Sequence, residues 1–226
     1  MNLPQTCGEI CLQVLDQMAA KTNFVFSTDC YHAESIKTQE RLRRSSSMKF
    51  IIGGPSTRKP ADFKQFLANE DNKQQLCQLL LQVWQSKAAA SQLEKCGVAI
   101  VIVEGKAHHL DSSDGKVMLH EIPELSSDQE ETDTWVVLYF HYAARQGYKS
   151  AVVRTPDSDI FFIHRSHSIG LTIFLDTGTG KHRQIVNVTE LAKSLGPEYC
   201  TTLLGFYVFT GIGVPVPSRG RAKWLP

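Results

Sequence analysis

The sequence has no long apolar run, and nothing in it approaches the roughly 20 residues that span a bilayer. It has no basic opening followed by an apolar segment, so Met1 to Glu9 predicts no secretory signal. It has almost no net charge, +1 at pH 7. That excludes a globally basic nucleic-acid coat, but not a local basic patch balanced by an acidic site. It has no zinc-finger spacing: Cys7 and Cys11 lie one helical turn apart, and Cys30, Cys77, Cys96 and Cys200 supply no second pair. Without a signal, the six cysteines predict reduced thiols and an intracellular location, the nucleus included. It also has no internal repeat. What remains is ordinary globular composition, 42% hydrophobic and 21% charged over 226 residues, most simply one domain.

Apolar periodicity predicts helices over residues 8–20 and 61–86, the second interrupted at Asn69-Glu70-Asp71-Asn72. Short apolar runs predict strands at Asn23-Phe24-Val25-Phe26, Gly97 to Val103, Ala151-Val152-Val153 and Leu171 to Leu175. Ala33 to Arg44 reads as a polar, basic helix. His108 to Lys116 reads as a turn around Asp114-Gly115. Asp128 to Gln146 reads as a helix with an acidic start, where the helix dipole favours carboxylates. Thr189 to Leu195, with Thr189 as N-cap, and Glu198 to Phe209 complete the helices. Strands alternating with helices predict an α/β fold with a mostly parallel central sheet flanked by helices.

In such a sheet functional residues gather at the carboxyl ends of the strands. Asp29 follows the first strand, and Asp157 and Asp159 follow Ala151-Val152-Val153. Glu130, Glu131 and Asp133 open the helix that leads into that later strand. Carboxylates converging on one spot would repel and raise one another's pKa values. A pair of Mg2+ or Mn2+ ions, roughly 3.5–4 Å apart, removes the repulsion and suits in-line phosphoryl chemistry. Taken singly, each acid is more readily a turn or cap residue, and it is their order together that favours metal. Lys37, Arg41 and Arg44 share one face of the basic helix, where they could hold backbone phosphates of DNA or RNA. The alternative for that face is a solvated surface.

The order of these motifs resembles the PIN-like nucleases of the flap endonuclease class. Asp29 with Lys37 and Arg44, then Glu131-Thr132-Asp133, then Asp157-Ser158-Asp159 carry the resemblance. More closely, the chain resembles a group of mobile-element-associated animal proteins with a PIN-like domain. There the carrying segments include Asp29-Cys30-Tyr31, Phe66-Leu67, Arg154-Thr155-Pro156-Asp157-Ser158-Asp159 and Leu203-Leu204-Gly205-Phe206. The resemblance runs from about Phe24 to Gly211. It implies a three-layer, Rossmann-like PIN domain over residues 1–211 with an irregular, truncated tail over 212–226. It implies Asp29, Glu131, Asp133, Asp157 and Asp159 as catalytic metal ligands, with Glu130 just outside them. It implies Lys37, Arg41 and Arg44 as phosphate-binding residues.

Two departures stand out. In those proteins the segment matching Phe209-Thr210-Gly211 leads to a further Asp, whereas here it leads to Ile212-Gly213-Val214-Pro215. Nothing before Phe24 supplies a first strand followed by an Asp, since Asp16 sits in a helical pattern. Two functional expectations follow: a metal-dependent nuclease, or a non-catalytic nucleic-acid-binding or interaction domain derived from one. A haloacid-type phosphatase built on Asp157 fits less well, because Thr155-Pro156 separates it from the strand. Gly178-Thr179-Gly180-Lys181 lacks P-loop spacing and reads as a turn. His108, His109, His164 and His167 have no partner set at ligand spacing.

Overall fold

The structure, a computed structural model, describes residues 3–20, 22–30, 48–127, 132–155 and 170–211, apart from the side chains of 132–134, 204 and 207–211. Within those residues the chain is α/β, with two separate sheets. It divides into two compact units, Met1–Trp135 and Val136–Pro226. No helix among the described residues is long and apolar enough to cross a membrane.

The first unit opens with helix α1, Cys7–Ala19. Thr6 caps it, its side chain accepting from the Glu9 backbone N–H, while the Glu9 carboxylate accepts from Gln5 N at 2.7 Å. This two-way arrangement satisfies donors that the first turn leaves orphaned. Cys7, Cys11 and Leu15, spaced at helical turns, are its buried side. Strand β1, Asn23–Ser27, follows.

The long helical region breaks where Asn69 lies. Helix α2 is Phe63–Leu67, capped by Asp62, and helix α3 is Glu70–Trp84, capped by Asn69. Asn69 caps the start of the second helix, which is why the helical region is interrupted where the sequence predicts it. Asn72 is fully buried, and its amide explains that burial. Its Oδ1 accepts from Phe50 N at 2.7 Å, and its Nδ2 donates to the Phe66 and Met48 carbonyls. Helix α4, Lys87–Leu93, leads to strand β2, Val98–Val103. Strands β3, Lys106–Ser113, and β4, Lys116–Glu121, complete a sheet of order β1-β2-β3-β4. His108 and His109, expected in a turn, lie in β3, and the turn is confined to Asp114-Gly115. The core of this unit gathers Cys11, Leu15, Phe24, Leu79, Leu80, Val83, Trp84 and Val101. Trp84 is its centre: its indole N–H donates to the Cys11 carbonyl at 2.9 Å and its rings contact Phe24 and Phe26.

Helix α5, Thr132–Arg145, crosses the boundary between the units. In the second unit, strands β5, Ser150–Arg154, β6, Thr172–Thr177, and β7, Gln184–Asn187, form a sheet in that order. Val136 and Phe140 of α5 pack on Leu171 and Ile173. Helix α6 is Val188–Leu195, and its N-cap is Asn187, which accepts from Glu190 N at 3.0 Å, in place of the expected Thr189. The Thr189 hydroxyl is turned to the sheet, accepting from Ile173 N at 2.9 Å. Helix α7 is Pro197–Gly211.

The sheets are mixed, not mostly parallel, among the described residues. β1 with β2 and β5 with β6 are the parallel pairs; β2–β3, β3–β4 and β6–β7 are antiparallel. The cause lies in the connections. Glu104-Gly105 and Asp114-Gly115 join consecutive strands with two residues each, and a two-residue link permits only an antiparallel neighbour. Both residues of each pair have positive φ, from 51° to 79°, as a type I′ hairpin turn requires.

Candidate functional site

Parallel pairing of β1 with β2 sets Ser27 opposite Ile102, so the two strands finish side by side. Thr28 fixes the exit from β1: its N–H and its hydroxyl both donate to the Ile102 carbonyl, at 3.1 and 3.2 Å. The next residue on that side is Asp29. One residue past the end of β2 is Glu104. Both line a cavity of about 140 Å3 together with Thr28, Cys30, Gln74 and Cys77.

Glu104 occupies this place under strain. Its φ is +52°, a left-handed conformation that costs a side-chain-bearing residue about 1–2 kcal/mol. Gly105 next to it cannot be replaced freely, because a Cβ there would sit 2.6 Å from the Ser127 carbonyl oxygen. Two amides from α3 hold the carboxylate: Gln74 and Gln78 donate to Glu104 Oε1 at 2.8 and 2.7 Å. Those side chains are one helical turn apart, so both reach the same oxygen. The other carboxylate oxygen makes neither of these bonds.

The site's electrostatics register in Cys77. Burial is the main force pushing its thiol up to about 11, and the Asp29 and Glu104 carboxylates push it further the same way. Cys11, at the core, is pushed up to about 12 by burial and by the neighbouring thiols Cys7 and Cys77. These thiols are therefore protonated at neutral pH.

A second charged cluster lies in the second unit. Asp176, at the end of β6, is 5% exposed. Arg183 embraces it with Nε at 2.9 Å and Nη2 at 2.7 Å, and Arg154 adds Nη1 at 2.7 Å. Arg154 also donates to the Gly178 carbonyl. Hydrogen bonds from Arg183, then those and the charge of Arg154, hold the Asp176 carboxyl down at about 2 against the opposing effect of burial. Arg154, the first residue of the Arg-Thr-Pro-Asp-Ser-Asp motif, thus closes a structural ion pair, with the strand residue Asp176 at its centre.

Of the residues expected from sequence, Asp29 stands at its strand end and lines the cavity. Asp133 lies in the first turn of α5, its side chain beyond what is described. Glu130, Glu131, Asp157, Asp159, Lys37, Arg41 and Arg44 lie outside the described residues. Glu104 was missed, although the signal was present: it follows the buried run Val98–Val103 as Asp29 follows Phe24-Val25-Phe26. The Glu-Gly pair was hidden because Asn-Gly and Asp-Gly are the familiar hairpin signatures.

Among the described residues no group of three or more His, Cys, Asp or Glu side chains is arranged to hold a metal ion. Asp29 and Glu104 still fit one by chemistry: hard carboxylate oxygens are the donors Mg2+ and Mn2+ take, and Mg2+ is commonly held by one or two carboxylates plus water and substrate phosphate. No protein-family model matches the chain, and no curated protein or solved structure matches it.

Proposed function

We propose that the chain is a PIN-like, Rossmann-like α/β protein that hydrolyses phosphodiester bonds in DNA or RNA with Mg2+ or Mn2+. The observation that supports this reading best is the meeting of Asp29 and Glu104 in one cavity at the carboxyl ends of two parallel strands. Strand ends of this kind are where α/β sheets place their chemistry. Glu104 in a left-handed backbone conformation fits too, since such strain concentrates at functional sites.

In this reading Asp29 and Glu104 would hold the ion. The sequence resemblance adds Glu131, Asp133, Asp157 and Asp159 as further ligands, Glu130 just outside them, and Lys37, Arg41 and Arg44 as phosphate contacts. A bound ion supplies a water of lowered pKa and stabilises charge on the scissile phosphate. Gln74 and Gln78 position Glu104, leaving one carboxylate oxygen for that role. Thr28 positions Asp29 by tying the strand end to Ile102.

The test is cleavage of labelled flap and single-stranded DNA and RNA with Mn2+. Asp29→Asn and Glu104→Gln should each lower the rate by about 100-fold or more, the size of effect expected when a transition-state charge contact is lost. Equal rates in wild type and both variants would remove the reading. The Ile212-Gly213-Val214-Pro215 stretch, where the resembling proteins carry an Asp, favours a second reading, a nucleic-acid-binding relic of such a nuclease. It would bind strands, weaken steeply with salt and cut nothing.

A further inference from the structure

Elsewhere in the first unit lies an open cleft of about 570 Å3, lined by Gln5, Phe50, Arg58, Lys59, Pro60 and Ala61. Its size falls in the range of small-ligand sites. Three features give it a chemical character.

Its walls are fixed. Lys59 N donates to the Gln5 carbonyl at 2.8 Å, and Thr6 bridges Arg58 in antiparallel fashion. The facing segment around Phe50 is held by side-chain amides of α3: Asn72 takes Phe50 N, while Gln75 takes Ile52 N at 3.0 Å and donates to the Phe50 carbonyl at 2.9 Å. Phe50, half-buried and in T-shaped contact with Phe66 at 5.6 Å, is thereby held in the lining of the cleft.

Two cationic residues, Arg58 and Lys59, are in its lining. Neither Arg58 nor Lys59 makes an ion pair with a described residue. Two adjacent cations on a hydrogen-bonded strand segment, beside an aromatic ring, match what a single nucleic-acid strand offers: a phosphate for the cations and a base for the ring. An apolar peptide would leave both charges without a counterpart, and a lone anion would not use the ring.

We infer that the Phe50–Arg58–Lys59 cleft binds a nucleotide unit of a single nucleic-acid strand. The inference does not depend on metal or on Asp29 and Glu104. It is tested on the full chain in EDTA by fluorescence anisotropy with a labelled eight-nucleotide oligo(dT) and oligo(U) across a salt series. Arg58→Ala with Lys59→Ala should weaken binding about ten-fold at moderate salt, and should reduce the slope of log K against log salt by about 0.7, for the one phosphate the pair holds. Phe50→Leu should weaken binding by roughly ten-fold with the slope unchanged, because base stacking is lost and phosphate contact is kept. Should Phe50→Leu fold poorly by circular dichroism, the cation pair, on the surface, carries the test alone. Wild-type affinity and slope in the Arg58/Lys59 variant overturn the inference. So does AMP saturating the site while the oligonucleotide gains nothing over it, which would mark a free-nucleotide site. Asp29→Asn with Glu104→Gln should bind in EDTA and cut nothing in Mn2+. Binding without any cleavage by the wild type in Mn2+ therefore counts against the nuclease reading and leaves the cleft assignment in place.

Discussion

Glu104 and Asp29 follow strands that run in the same direction in adjacent register, Ser27 facing Ile102, and both carboxylates reach one small cavity beside the Cys77 thiol. That thiol is a built-in reporter of the charge around it. Its value near 11 rests mainly on burial; a hydrogen bond with Thr28 opposes that, and the two carboxylates add to it. A divalent cation between them would favour the thiolate. Mn2+ or Mg2+ should therefore speed alkylation of Cys77 at a fixed pH of about 9, and Asp29→Asn should do so without metal. Site-resolved mass spectrometry measures both. No change in Cys77 labelling on adding metal counts against a metal at this cavity.

The strained turn predicts that stability and activity separate. Glu104→Asn restores the Asn-Gly pair that type I′ hairpins prefer, and should raise stability by roughly 0.5–1 kcal/mol, seen as a higher thermal midpoint. The same change should abolish Mn2+-dependent cleavage. Gly105→Ala should act the other way on stability, because the added Cβ meets the Ser127 carbonyl oxygen at 2.6 Å and φ is +79°.

Asn72 predicts a different kind of loss. It is fully buried, and it satisfies the Phe50 N–H and the Phe66 and Met48 carbonyls. Asn72→Ala should cost about 2–4 kcal/mol in denaturant unfolding, as two or more buried polar groups lose their partner. It should also free the Phe50 segment and weaken oligonucleotide binding.

The Asp176 cluster sets an acid limit. Its folded pKa, about 2, lies below the ordinary 3.8. Stability from this carboxylate is complete above that ordinary value and drains away as pH falls toward about 2. Hydrogen exchange of the β5 and β6 amides should accelerate across that window in wild type. In Asp176→Asn exchange should already be faster at neutral pH, with Arg154 and Arg183 left without their anion, and the dependence in that window should be lost.

Much of the fold was legible because it was written locally. The runs Phe24-Val25-Phe26 and Val98–Val103 can only be strands of a covered sheet, and Asn69 announces where one helix stops. The mixed sheet was harder to see, because direction depends on link length, and Glu104-Gly105 looks like any polar pair. Thr189 as N-cap failed by position: Asn187 stood two residues earlier with a better side chain for it. Asp29 was readable as a strand-end acid, but Glu104 needed the pairing of β1 with β2 before it became its neighbour. Asp176 needed two arginines distant in sequence, and no local pattern links them.

Helix α3 holds the carboxylate cavity through Gln74 and Gln78 and the aromatic wall of the cleft through Asn72 and Gln75. The first and last of these are six positions apart, about 9 Å of rise. All four are neutral amides, which neither gain nor lose a proton in the biological range and are barely screened by ions. The spacing between the two places is therefore set by a ruler indifferent to acidity and salt, even where the strand binding proposed for the cleft is not.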